Sequence, residues 1–128
     1  MSEQGGTSRH PQPGEREPAV TSVDRVNGAI VVRLAGELDL YNADQIRAAL
    51  LAACAEEPER LVVDLAEVQF IDSTALGVLI EARSKLPNRR GFMLAGTQLA
   101  TRRALEVSGL DRHFALHETA DAALSAPL

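Results

Sequence analysis

Between Ala19 and Leu124, short apolar runs alternate with longer stretches in which apolar residues recur every three or four positions. Few architectures satisfy that order. Strands separated by single helices through short loops imply a mostly parallel sheet with right-handed crossovers. The first run, Ala19–Val26, ends at Asn27-Gly28, a dipeptide suited to the two positive-φ positions of a tight hairpin turn. Ala29–Leu34 follows, so the first two strands pair antiparallel and an antiparallel strand closes one edge of the sheet.

The remaining elements follow from helical spacing and its punctuation. Asn42 caps a first helix, with Gln45 placed to reach back as in a capping box, and Pro58 closes it. Ile46, Ala49, Leu50, Ala53 and Cys54 form its buried stripe. Leu61–Leu65 is an apolar strand of the kind buried on both faces. A second helix spans Ser73–Lys85, with Leu76, Leu79, Ile80 and Leu86 inward and Pro87 as its stop. Gly91–Ala95 is a strand, Thr97 caps a third helix carrying Leu105, and Gly109-Leu110 fits a Schellman-type end. His113–Leu116 is a last short strand, and Thr119 caps a last helix carrying Ala123 and Leu124. The expected order is β-β-α-β-α-β-α-β-α over residues 19–128. Residues 1–18 are polar, rich in Gly, Pro, Ser, Gln and Glu, and read as a disordered tail.

Composition narrows the function classes. The net charge of −5 repels phosphate backbones and anionic headgroups, which argues against nucleic acid and membrane as partners. With no Trp, one Tyr and three Phe, base-stacking platforms are scarce. No apolar run approaches the roughly 18–20 residues that span a bilayer, and the N-terminus lacks the apolar stretch of a signal peptide, so a cytoplasmic protein is expected. Cys54 is the single cysteine and reads as a small buried hydrophobe. Twelve Arg stand against one Lys, Lys85, which leaves almost no candidate for a catalytic lysine.

The most informative segment is Phe70-Ile71-Asp72-Ser73-Thr74-Ala75-Leu76-Gly77. Asp, Ser and Thr are all good N-caps, and a well-capped helix accounts for one of them. Two adjacent hydroxyls exceed what a cap requires. The segment also lies beyond the carboxyl end of a strand, where open α/β sheets place their functional loops. Asp72-Ser-Thr-Ala-Leu-Gly-Val78 resembles the D-S-[ST]-G-L-G signature of STAS-domain anti-sigma-factor antagonists. Gly36-Glu-Leu-Asp39 resembles the motif ending that family's second strand, and Arg102–Leu110 resembles its third helix, which ends in S-G-L. The three motifs, in order and with compatible spacing, cover about Ala19 to Leu124.

The resemblance implies a STAS fold and a partner-switching role without enzymatic activity or cofactor. The family's phospho-acceptor maps onto Ser73, with Thr74 the second choice. The implied partner is an anti-sigma factor with a kinase-type ATPase fold, which phosphorylates the antagonist. The unmodified antagonist binds it and frees the sigma factor, and a serine phosphatase resets the switch. Glu37, Asp39, Asp72, Ser73, Thr74, Ala75, Leu76 and Gly77 make up the implied partner-binding face. The chain departs from the family at Ala75, where glycine is common. The alternative within binding modules is a STAS subunit or scaffold of a transport or stress-signalling complex that runs without a phosphorylation cycle.

Other chemistries find little support. A receiver domain needs an acidic pair, a central Asp (Asp64 is the candidate) and a lysine near its final strand, yet Lys85 falls in a helix. A hydrolase using Ser73 needs a positioned base, and His10, His113 and His117 accompany no G-x-S-x-G elbow. His113 and His117 in a strand diverge rather than converge on a metal, and no Gly-rich phosphate loop is present.

Overall fold

The Asn27-Gly28 turn sets the first pairing. In the computed structural model, which describes residues 17–128, both residues have positive φ, at 49° and 83°. They join β1 (Val20–Val26) to β2 (Ala29–Leu38) in an antiparallel pair. The chain continues through α1 (Ala43–Ala55), β3 (Arg60–Ile71), α2 (Ser73–Lys85), β4 (Phe92–Ala95), α3 (Leu99–Ser108), β5 (Ala115–His117) and α4 (Ala120–Ser125). The five-stranded sheet runs in the order β1-β2-β3-β4-β5, and every pairing after the first is parallel. Apart from the exposed Glu17 and Pro18, the tail expected over residues 1–18 lies outside the described residues.

Alternation along the strands divides the core between two faces. Ile30, Val32, Leu34, Leu61, Val63, Leu65, Phe92 and Leu94 point to one side, where α1, α2 and Leu105 of α3 cover them. Val31, Val62, Met93 and Ala95 point to the other, which Ala123 of α4 closes. Leu61, Val62 and Val63 are all fully buried, as expected of a strand covered on both faces. Cys54 sits between α1 and α2 with its Sγ donating to the carbonyl of Ala82, and burial raises its thiol pKa.

Several details differ from the sequence expectation. β2 runs four residues past Leu34, and β3 runs six past Leu65. Two irregularities in their pairing, at Arg33/Ala35 and Gly36/Glu37, re-phase the ladder and break the alternation by which strands are recognised. Ile80 is 45% exposed rather than inward. The capping box on α1 does not form: Asn42 makes no cap hydrogen bond, and Gln45 instead accepts from the Ala19 N–H. Gln98 rather than Thr97 stands at the start of α3, without a side-chain cap. The final strand begins two residues late because Phe114 is buried against the Phe92 ring, 5.9 Å between centroids. At the other ends the expectations hold. Thr119 accepts from the Ala122 N–H, and Gly109 adopts φ 78° with Leu110 packed back on the core.

Candidate functional site

The extended ends of β2 and β3 bring the two sequence motifs together. Glu37 pairs with Phe70 and Leu38 with Ile71, and the Asp72 N–H donates to the Leu38 carbonyl at 3.0 Å. The Gly36–Asp39 segment and the start of α2 therefore share one surface at the carboxyl end of the parallel strands. That is where open α/β sheets carry their functional groups.

Asp72 is the N-cap of α2, with extended backbone and its Oδ1 accepting from the Ala75 N–H at 3.0 Å. The Leu76 N–H closes the first turn onto the Asp72 carbonyl. Ser73 and Thr74 occupy the first two helical positions, both exposed. Their own N–H groups precede the intrahelical ladder and point outward. Ser73 thus presents a hydroxyl beside unused N–H donors at the positive end of a 13-residue helix.

The remaining predicted residues divide. Gly77 is exposed, whereas Ala75 is 1% exposed and Leu76 is buried, so both turn into the core. The Ala75 methyl packs inside the domain and does not narrow access to Ser73. Ser73, Gly77 and Ile80 fall at i, i+4 and i+7, and form a single exposed stripe down α2. Sequence reasoning missed Ile80 because it follows Leu79, and the burial of Ala75, Leu76, Val78, Leu79 and Ala82 already fills the inward face.

The loop between β2 and α1 is held by its own side chains. Asp39 Oδ1 accepts from the Tyr41 N–H at 3.0 Å. Asn42 Oδ1 accepts from the Asp39 N–H at 2.9 Å, and its Nδ2 donates to the Glu37 carbonyl at 2.8 Å. Gly36, at φ 84°, lies within β2 at the register shift that precedes this loop. Leu40 and Tyr41 are thereby pushed out, 68% and 85% exposed. Asp39 shapes the loop, and Asn42, expected only as a helix cap, is its main tie. Exposed Leu40 and Tyr41 are the residues sequence analysis did not single out. Their apolar character was visible, but their position outside both the sheet and the helix was not.

A STAS-domain family model matches residues 20–123. The chain belongs to the STAS-domain family of anti-sigma-factor antagonists. Among its relatives, the anti-sigma-F factor antagonist RsfB of Mycobacterium tuberculosis is 34% identical over 106 residues, 83% of this chain and 86% of that one. The anti-sigma-B factor antagonist of Listeria monocytogenes is 35% identical over 88 residues, 68% of this chain and 77% of the relative. The crystal structure of an anti-sigma factor antagonist from Mycobacterium paratuberculosis superposes with a TM-score of 0.78 at 35% identity, over 86% of this chain and 95% of that one.

In this STAS domain the described residues contain no group of three or more His, Cys, Asp or Glu side chains placed to hold a metal. No helix among them is long and apolar enough to cross a membrane. The features that distinguish the surface are an exposed hydroxyl pair, a side-chain-tied acidic loop and an apolar-to-small stripe on α2.

Proposed function

We propose that this chain is a cytoplasmic anti-sigma factor antagonist that acts by binding and is switched by phosphorylation of Ser73. The unmodified protein binds an anti-sigma factor with a kinase-type ATPase fold through Glu37, Asp39–Tyr41, Ser73, Thr74, Gly77 and Ile80, and so frees the sigma factor. The anti-sigma factor phosphorylates Ser73 with ATP, the complex dissociates, and a serine phosphatase restores the binding form. The observation that carries this reading is the exposure of Ser73 at the first position of α2, on one surface with the Glu37–Asp39 loop. The antagonist names of relatives matched over most of their length support it.

Phosphate adds roughly −1.5 to −2 charge at that point. The domain tolerates it, because outward N–H groups and the helix dipole favour an anion there. A partner packed over Ser73 does not, with Asp72, Glu37 and Asp39 already supplying negative charge nearby. A loss of about 3 kcal/mol weakens a complex roughly a hundredfold, which suffices for a switch.

The test pairs Ser73→Ala with Ser73→Asp against the cognate anti-sigma factor. Ser73→Ala should stay bound when ATP is added, and Ser73→Asp should bind about a hundredfold more weakly while its stability changes by less than about 1 kcal/mol. Release of Ser73→Ala by ATP at the wild-type rate would place the acceptor elsewhere, with Thr74 next to be tested.

A further inference from the structure

At the pole opposite Ser73, a cavity of about 400 Å³ opens between the end of α2, the start of β4 and the start of β5. Its rim carries Arg83, Arg89, Arg90, Arg112, His113 and His117, and its floor includes Met93 and Phe114. No Asp or Glu side chain lines it. Four guanidinium groups facing no Asp or Glu side chain, with Pro127 and Leu128 the last residues of the lining, are unexpected in a chain whose net charge is −5. Three arginines elsewhere are neutralised: Arg25 pairs with Glu56, Arg33 with Asp24 and Asp64, and Arg47 with Asp44 and Glu81, whereas Arg60 donates to the Ala123 carbonyl and, among the described residues, Arg102 and Arg103 stand singly on α3. Among the described residues none of the four rim arginines forms an ion pair. Arg83 also keeps its Nε buried with no acceptor, a state that costs free energy unless something supplies one.

We propose that this cavity binds a small phosphate ester, with the phosphate between the guanidinium groups and an apolar moiety on the Met93–Phe114 floor. Arginine forks match phosphate oxygens two at a time, and several converging forks favour a phosphate over a single carboxylate. A concave site of this volume, apolar below and polar at the rim, is the form small-molecule sites usually take and suits a compact ligand better than an extended chain. The site is separate from the Ser73 surface. Arg83 and Ser73 stand near opposite ends of α2, about 15 Å apart at 1.5 Å per residue.

Titration of the 15N-labelled full chain at constant ionic strength tests the assignment, using adenosine monophosphate, dihexanoyl phosphatidic acid and inorganic phosphate as probes. One of the two esters should give saturable shifts at Arg83, Arg90, His113 and His117, at least roughly tenfold tighter than inorganic phosphate. Which ester binds better distinguishes a nucleotide from a lipid source. Arg90→Gln and Arg112→Gln, both exposed and unpaired, should each weaken binding by roughly tenfold or more while the spectrum stays that of the folded protein. The proposal is overturned if neither ester gives a saturable response, if both variants bind as wild type, or if the shifts fall at Ser73–Leu76 instead.

Discussion

Asn42 gives both ends of its amide to the chain before it, and this decides the shape of the loop beside Ser73. Asn42→Ala removes both hydrogen bonds and should cost about 1–2 kcal/mol in thermal or urea unfolding. It should weaken anti-sigma factor binding by more than that, because Leu40 and Tyr41 lose their fixed position. Asn42→Asp, which keeps the acceptor for the Asp39 N–H, should recover part of the stability. Equal losses for the two variants would show that the Asp39 contact carries nothing. Cys54 shows the opposite case, a reactive group made inert by its surroundings. Burial raises its pKa above the ordinary 9.0, and its Sγ donates to the Ala82 carbonyl. The sign follows directly: a folded-state pKa above the unfolded one gives stability that is full below the unfolded value and lost as pH rises through the folded one. Alkylation by iodoacetamide at pH 8 should therefore run at least ~100-fold slower in the native chain than in urea, tracking local opening. Unfolding free energy should decline above about pH 9 in the wild type and less in Cys54→Ala. Fast native alkylation would place the thiol at the surface.

Helix α2 carries Ser73, the proposed phospho-acceptor, at its first residue and an exposed stripe of small and apolar residues below it. Gly77 lies in that stripe, in the helix interior, with nothing within 4 Å of where a Cβ would stand. Nothing inside the domain requires glycine there, and a mid-helix glycine costs about 1 kcal/mol relative to alanine. Gly77→Ala should raise the unfolding free energy by about 0.5–1 kcal/mol and yet weaken the proposed anti-sigma factor complex, since the added methyl stands out from the exposed stripe. Gains in both stability and affinity would remove Gly77 from the contact surface. Much of this element was legible beforehand. Ser73 as its first residue, Lys85 as its last and Asp72 beside the hydroxyls all follow from capping and apolar spacing. Ile80 was misjudged because spacing alone does not say how wide the buried face is, and Ala75, Leu76, Val78, Leu79 and Ala82 fill it. The reach of β2 and β3 was also invisible. Bulges substitute a local shift of register for alternation, and only the pairing of the two strands reveals it. The juxtaposition of the two motifs, inferred from resemblance, thus rests on backbone pairing that the local pattern of residues conceals.

Across the whole molecule, stability is concentrated along β3. It is flanked by β2 and β4, covered on both faces, and fully buried at Leu61–Val63, whereas β5 at the far edge has three residues and β1 is exposed along most of its length. The Ser73 surface is built where β2 and β3 end, beyond the Leu61–Asp64 stretch that β4 also flanks, where β3 pairs with β2 alone. The arginine-rimmed cavity lies instead beside the short β5 and the start of β4, where local opening is cheaper. Native-state hydrogen exchange separates these regions. Amides of Leu61–Leu65 should exchange only by global unfolding, and those of Ala115–His117 and α4 at least ~100-fold faster, through sub-global opening. In Ser73→Asp the protection of Leu61–Leu65 should be unchanged, because the added charge is met by outward N–H groups at the helix start rather than by the core. Uniform protection across β3 and β5 would make the sheet a single cooperative unit. A loss of β3 protection in Ser73→Asp would mean that charge at the switch is paid for by the fold, and a switch confined to the surface would no longer hold.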